Sequence, residues 1–178
     1  YENLDLTTDP SNPTQTITIK TEGNEITIYY TLPLTISPDG VSKLYGDEDA
    51  LTATVSGNLT GDTDKITYTL SRVAGEAVGT YKISVTEYKA PEYYVVTTAT
   101  ADLTINPAGV TLTANSGTET YDGKEKTVTG YTSSVEGLTF EGVSASGSGI
   151  NAGEYDVTFS GVTVNTTKDS TGNYVVTG

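Results

Sequence analysis

Hydrophobic and polar residues alternate along much of this chain. In residues 16–20 and 25–29 an isoleucine occupies every second position. The same alternation, with leucine, valine, tyrosine and alanine at the apolar positions, occurs in residues 51–55, 66–70 and 81–85. Successive side chains of a β-strand point to opposite faces of the sheet, so this period of two predicts strands with one buried face. Glycine, asparagine, aspartate and proline separate most of these segments, which is typical of short strands joined by turns.

The composition favours the same fold class. Roughly one residue in five of the 178 is threonine, and valine, isoleucine and 13 tyrosines follow. These residue types suit a pleated, half-buried surface, whereas the residues that fill ordinary helices are scarce outside turns. The sequence therefore predicts an all-β protein with at most a stray helical turn.

Missing residue types exclude several kinds of chemistry. The chain has no cysteine, histidine, methionine or tryptophan. Disulfides, thiol nucleophiles, histidine bases, Cys/His zinc sites and Ser-His-Asp triads are therefore excluded. The formal net charge of −14 argues against nucleic-acid binding, which needs lysine and arginine on one face. No apolar run approaches the roughly 18 residues that cross a bilayer, so no membrane insertion is expected.

Three sequence landmarks recur in the same order between 74 and 80 residues later. The repeated pairs are Tyr45-Gly46-Asp47 with Tyr121-Asp122-Gly123, Gly79-Thr80-Tyr81 with Gly153-Glu154-Tyr155, and Tyr94-Val95-Val96-Thr97 with Tyr174-Val175-Val176-Thr177. Self-similarity at a nearly fixed offset is the signature of a repeated structural unit. We therefore predict two diverged copies of one module of about 70 to 80 residues.

A further pair of similar segments suggests module boundaries. Leu34-Thr35-Ile36-Ser37-Pro38 resembles Leu103-Thr104-Ile105-Asn106-Pro107. Each proline is expected to end its strand, because proline has no amide proton for the ladder. If the motif is the last strand of a module, it divides the chain into three parts, residues 1–36, 37–107 and 108–178. The first part would be a partial β segment or the tail of a preceding module, and the last would lack its final strand.

Both copies resemble known families. The first copy carries Leu44-Tyr45-Gly46-Asp47, Gly57, Ser71-Arg72, Gly75-Glu76-Ala77-Val78-Gly79-Thr80-Tyr81 and Leu103-Thr104-Ile105, and it resembles the YGX-type MBG module of bacterial surface proteins. The second carries Tyr121-Asp122-Gly123-Lys124, Gly137-Leu138, Ala152-Gly153-Glu154-Tyr155 and Gly172-Asn173-Tyr174, and it resembles the related YDG-type module of adhesin-like proteins. Glu92-Tyr93-Tyr94 departs from the usual Asn-Tyr pair, so the turn there is expected to differ.

The resemblance implies extracellular, repeated, β-rich building blocks without catalytic residues. We expect an elongated array of small antiparallel β-sandwich (Ig-like) or β-grasp-like modules, and a β-grasp helix would fall at residues 47–51. Neighbouring modules of the same chain are the expected partners. The leading hypothesis is a non-enzymatic spacer in a cell-surface stalk, with no cofactor. The alternative is direct adhesion, in which exposed tyrosine and threonine faces bind host or mucin glycans.

The landmark residues are predicted to be structural anchors. Each tyrosine would bury its ring while a nearby glycine allows a positive φ, a bulge or a close approach. The predicted anchors are Tyr45, Gly46, Gly79, Tyr81, Tyr94, Tyr121, Gly123, Gly153, Tyr155 and Tyr174.

Weaker hypotheses concern metal binding and cross-linking. Asp47, Asp49, Asp62 and Asp64 are calcium candidates by residue type, but their spacing lacks the glycine and glutamate of an EF-hand loop. A Lys-Asn isopeptide bond is another possibility by residue type, although no spacing identifies its members. Glycoside hydrolases use a pair of carboxylates, but this sequence does not single out any such pair.

Overall fold

The computed structural model describes residues 14–17, 26–29 and 31–178. Most of the segment predicted as 1–36 therefore lies outside the described residues, including the alternation at Thr18–Lys20. Within it, the strands Thr14–Ile17 and Ile26–Tyr29 pair in an antiparallel register.

The described residues form an all-β protein, which confirms the predicted fold class. One turn of 3-10 helix, Thr63–Lys65, is the helical element in this part of the chain. The strands are β1 (Thr14–Ile17), β2 (Ile26–Tyr29), β3 (Leu32–Pro38), β4 (Val41–Leu44), β5 (Ala53–Ser56), β6 (Thr67–Arg72), β7 (Gly79–Lys89), β8 (Tyr94–Thr98), β9 (Thr100–Asn106), β10 (Ala108–Val110), β11 (Leu112–Ala114), β12 (Lys126–Thr129), β13 (Tyr131–Ser133), β14 (Ser144–Gly149), β15 (Thr158–Ser160) and β16 (Tyr174–Val176).

The chain divides into two compact units. Unit 1 includes the described residues up to Val41 together with Asp49–Gly75 and Thr80–Leu103. Unit 2 consists of Ser42–Glu48, Glu76–Gly79 and Thr104–Gly178.

Unit 1 contains a three-stranded sheet with the order β5–β3–β8. Strand β3 lies in the centre and alternates partly exposed and buried residues along its length. Its buried side chains join a core of Leu34, Ile36, Ile66 and Tyr94. The period of two in the sequence thus becomes one apolar face, and burial of that face stabilises the sheet.

A four-stranded sheet has the order β4–β9–β7–β6. Strands β6 and β7 pair in an antiparallel register that shifts at a bulge between Thr69 and Leu70. Ile83 on β7 and Leu103 on β9 are fully buried.

Unit 2 contains a three-stranded antiparallel sheet, β12–β14–β15, and two strand pairs, β10–β16 and β11–β13. Its core consists of Val110, Leu112, Phe140 and Val176.

Two strand pairs are parallel, whereas the sandwich alternative predicted antiparallel sheets. Strand β3 runs parallel to β8, with Leu34 opposite Val96, and β10 runs parallel to β16, with Val110 opposite Val176. Alternation of apolar and polar residues is the same for both strand directions. The direction depends on the long connections between the paired strands, which a local pattern does not encode.

The structure also gives a different role to residues 34–38. The Leu-Thr-Ile-x-Pro motif predicted the final strand of a preceding module there, but these residues lie in β3, between β5 and β8. As predicted, β3 ends at Pro38, and β9 ends directly before Pro107. Residues 47–51, where a β-grasp helix would fall, have no regular secondary structure.

Candidate functional site

Unit 2 contains a groove with a volume of about 850 Å³. Its lining comes from residues 114–121, from Lys126 and Val128 on β12, and from residues 147–157. Binding sites for small molecules commonly have volumes of about 300 to 1,000 Å³ and combine aromatic with a few polar groups. This groove is the candidate binding site of the chain.

Two tyrosine rings line the groove. Tyr121 is 63% exposed and Tyr155 is 50% exposed. The Tyr155 hydroxyl donates a hydrogen bond to the backbone carbonyl of Asn151 at 3.1 Å. A Cβ atom added at Gly149 would lie 2.3 Å from the Tyr155 ring, so the ring rests against the glycine backbone. These two contacts hold Tyr155 in place while half of it remains exposed.

Acidic side chains dominate the charge of the groove. Glu119, Glu154 and Asp156 are in its lining. The basic residue of the lining, Lys126, forms an ion pair of 2.9 Å with Asp122. The groove therefore offers an ammonium or guanidinium group a more favourable electrostatic environment than it offers an anion.

Unit 1 contains a second polar constellation, which we call the Asp62 cluster: Asp62, Lys65, Tyr93 and Tyr94. Asp62 is only 4% exposed and precedes the 3-10 turn. Its Oδ2 accepts hydrogen bonds from the hydroxyls of Tyr93 at 2.6 Å and Tyr94 at 2.8 Å. Its Oδ1 accepts a bond of 2.7 Å from the Lys65 Nζ, with which it forms an ion pair. The Tyr94 hydroxyl also accepts a hydrogen bond from the Leu59 amide at 2.8 Å.

These bonds shift the pKa values of the cluster. Hydrogen bonds from Lys65, Tyr93 and Tyr94 lower the pKa of Asp62 to about 2. The bond that Tyr93 donates to the carboxylate, together with burial, raises the pKa of Tyr93 to about 12. The carboxylate is therefore ionised and the phenols are neutral at physiological pH. The protein itself supplies the hydrogen-bond donors to the Asp62 carboxylate, so the cluster fixes the 3-10 turn beside the start of β8. It holds no activated nucleophile.

Asp169 plays a comparable structural role in unit 2. It is 5% exposed and accepts hydrogen bonds from the Thr171 amide at 2.9 Å, the Thr171 hydroxyl at 2.6 Å and the Tyr174 amide at 2.9 Å. Burial acts to raise the pKa of Asp169, but these hydrogen bonds outweigh it and the pKa is lowered. The carboxylate thus stabilises the turn that leads into β16.

The calcium candidates do not come together. The Asp47 carboxylate accepts a hydrogen bond from the Leu44 amide, Asp49 pairs with Arg72, and Asp62 belongs to the cluster described above. In the part of the chain that the structure describes, no group of three or more acidic residues is arranged to hold a metal ion.

Four of the predicted tyrosine anchors are buried or half-buried. Tyr94 is buried in the core of unit 1, and the half-buried ring of Tyr81 lies under the Arg72 guanidinium, whose central carbon is 5.2 Å from the ring centroid. In unit 2, Tyr45 contacts Tyr174 edge to face, with ring centroids 5.3 Å apart.

Tyr121 and Tyr155 differ from the expectation. Both tyrosines are exposed at the groove, because the segments that carry them form its sides instead of strands over a core.

Positive φ angles occur at two of the four predicted glycine anchors. Gly46 and Gly123 adopt positive φ angles of 89° and 76°. A Cβ atom added at Gly153 would lie 3.9 Å from the Tyr155 ring, which is ordinary contact. Gly79 is the first residue of β7.

The close approaches occur instead at Gly75 and Gly149, neither of which is a predicted anchor. An added Cβ would lie 2.4 Å from the Tyr81 ring at Gly75 and 2.3 Å from the Tyr155 ring at Gly149. Both glycines stand six residues before their tyrosines. That spacing is the signal that could have identified them.

The match with a known family falls on the segment that begins within β3 and ends within β9. Residues 34–104 match the family model of the MBG domain (YGX type). We call residues 34–104 the MBG segment. It includes the whole Asp62 cluster, Tyr81 and Gly75. Comparisons with curated proteins and with solved structures gave no significant match. Among the described residues, no helix has the length and apolar character needed to cross a membrane.

Proposed function

We propose that this chain is a non-catalytic spacer from the stalk of a bacterial cell-surface, adhesin-like protein. The MBG segment indicates a repeat module of surface proteins. The proposal adds that residues 108–178 are a YDG-like module of similar construction and that both modules stand in series, outside the cell. Their Ig-like or β-grasp-like character is part of the same proposal.

The observation that carries the proposal is a pair of structural features found once in each unit. The first is the parallel pairing of a Tyr-Val-Val strand with an earlier strand, seen in β3–β8 and β10–β16. The second is a tyrosine ring resting on the glycine six residues before it, seen at Tyr81 and Tyr155. Repetition of both features supports duplication of one module, and serial duplication is how stalk proteins gain length.

The chemistry of the buried polar groups also supports a structural role. Asp62 and Asp169 are the buried acidic residues among those described, and both are fully engaged in hydrogen bonds within their own units. An acidic chain also repels its neighbours, which keeps closely spaced stalks soluble and apart.

Force spectroscopy tests the serial arrangement. The 178-residue chain is pulled from its two ends, and two unfolding events are expected. Each module of about 70 residues would add roughly 240 Å of contour length, at about 3.3 to 3.6 Å per residue. A single event spanning all of the described length would contradict modules in series.

Direct adhesion is a second candidate, favoured by the exposed Tyr121 and Tyr155 rings in the groove of unit 2. Tyrosine faces can stack on sugars as they do on other ligands. A glycan array that includes neutral and sialylated mucin glycans distinguishes the two functions. The spacer function predicts no binding, whereas a glycan whose binding is lost in Tyr121→Ala would favour adhesion.

A further inference from the structure

The groove of unit 2 has features that a spacer does not require. Tyr121 is 63% exposed at the groove. Exposed aromatic rings beside a concave surface are typical of binding sites, because they supply contact area with little loss of conformational freedom.

Tyr155 is already ordered without a ligand. Its ring rests on Gly149, and its hydroxyl is bonded to Asn151. A ligand that contacts this ring therefore does not have to immobilise it, and this preorganisation favours binding.

The charge of the lining selects the class of ligand. Glu119, Glu154 and Asp156 are acidic, while Lys126 is paired with Asp122. The chain as a whole carries a net charge of −14. Acidic sugars and phosphates would be repelled, and neutral sugars carry no charge for the carboxylates to attract. A lysine or arginine side chain is attracted both by the carboxylates and by the faces of the tyrosine rings.

We propose that the groove of unit 2 binds a short basic peptide segment, with a lysine or arginine side chain held between the tyrosine rings and the acidic lining. A volume of about 850 Å³ accommodates such a side chain with its adjoining backbone. This binding activity goes beyond the spacer function, and it would let the stalk capture a basic segment of another protein.

Fluorescence anisotropy of labelled hexa-arginine with the full 178-residue chain tests the proposal. Saturable binding is expected to weaken about tenfold in Tyr121→Ala, because the cation loses one aromatic face. In the double variant Glu154→Gln/Asp156→Asn, binding should weaken by a similar factor, and its dependence on salt should decrease. Tyr121 and the two acids are exposed, so these variants are expected to fold.

Matched controls come from unit 1, where Tyr88 is 52% exposed and Glu87 and Glu92 are exposed acids. Tyr88→Ala and Glu87→Gln/Glu92→Gln should leave the affinity unchanged. NMR shifts caused by hexa-arginine should be confined to residues 114–121, 126–128 and 147–157. Equal weakening by the control variants, or shifts elsewhere, would overturn the proposal.

Two further probes separate the peptide from other ligands. A neutral hexapeptide of glycine and serine and a neutral hexasaccharide of N-acetylglucosamine should bind at least about tenfold more weakly than hexa-arginine, because neither carries a positive charge for the carboxylates to attract. If the hexasaccharide binds more tightly and shifts the groove resonances, the groove is a glycan site and the peptide proposal is overturned. That result would not affect the force-spectroscopy test of the spacer.

Discussion

Gly149→Ala tests how the Tyr155 ring is held in unit 2. The new Cβ would lie 2.3 Å from two ring atoms and 2.5 Å from a third. Carbon atoms at their optimal separation are about 3.5 to 4.0 Å apart, so the ring has to move by more than about 1 Å. That movement also disrupts the 3.1 Å hydrogen bond from the Tyr155 hydroxyl to Asn151.

The expected cost follows from these contacts. Overpacking costs about 1 to 3 kcal/mol in well-packed cores. Because Tyr155 is half exposed, the ring can move towards solvent, and we expect a cost of about 1 to 2 kcal/mol in the free energy of unfolding. Gly149 does not have a positive φ, so the cost arises from the ring and not from backbone strain.

A double-mutant cycle isolates the ring contact. In a Tyr155→Ala background the clash is gone, and Gly149→Ala should be neutral or stabilising by about 0.4 to 1 kcal/mol, since alanine restricts the unfolded chain. Urea denaturation followed by circular dichroism measures all four proteins. Gly153→Ala is the matched control, because its Cβ would lie 3.9 Å from the same ring, and it should change stability by less than about 0.5 kcal/mol. An equal cost of Gly149→Ala in both backgrounds would refute the reasoning.

Three further predictions concern the MBG segment. The folded pKa of Asp62 is lowered from 3.8 to about 2, so its contribution to stability is present above pH 3.8 and is lost as the pH falls towards 2. Asp62→Asn should therefore lower the melting temperature at pH 7 and flatten its fall between pH 4 and pH 2, whereas Asp64→Asn in the same turn should do neither. The Tyr93 phenol should titrate near pH 12, and ultraviolet absorbance should lose this late step in Tyr93→Phe; titration at its ordinary value of 10 would contradict its hydrogen bond to Asp62. Tyr81→Ala should cost about 2 to 3 kcal/mol in urea denaturation, because the ring packs on Gly75 and under Arg72, and a loss below about 1 kcal/mol would mean that the ring is not an anchor.

The groove illustrates the limit of local sequence patterns. Tyr121 and Tyr155 occupy the same sequence context as Tyr45 and Tyr81, yet the first two are exposed and the others are half-buried. A tyrosine beside glycine and aspartate predicts a turn in either case. Whether its ring is covered depends on which segments of the chain pass over it, and that is a long-range property.

The Asp62 cluster shows a similar limit. Tyr93 and Tyr94 lie 31 and 32 residues after Asp62 in the chain, and from the sequence Asp62 was only a calcium candidate. The neighbouring Tyr93 and Tyr94 were noted as a departure from the expected Asn-Tyr pair. The pairing of β8 with β3 and the 3-10 turn after Asp62 bring these groups together.

The sequence by itself determined the fold class, because alternation with a period of two leaves an apolar face that only a sheet buries efficiently. It also indicated the strand ends at proline and the turns at Gly46 and Gly123, because proline lacks an amide proton and glycine tolerates a positive φ. The tertiary structure alone decided the parallel direction of β8 and β16, the hydrogen bonds of Asp62 and the acidic groove beside Tyr121 and Tyr155. Each of these joins segments far apart in the chain, and local patterns carry no information about which distant segments will pair.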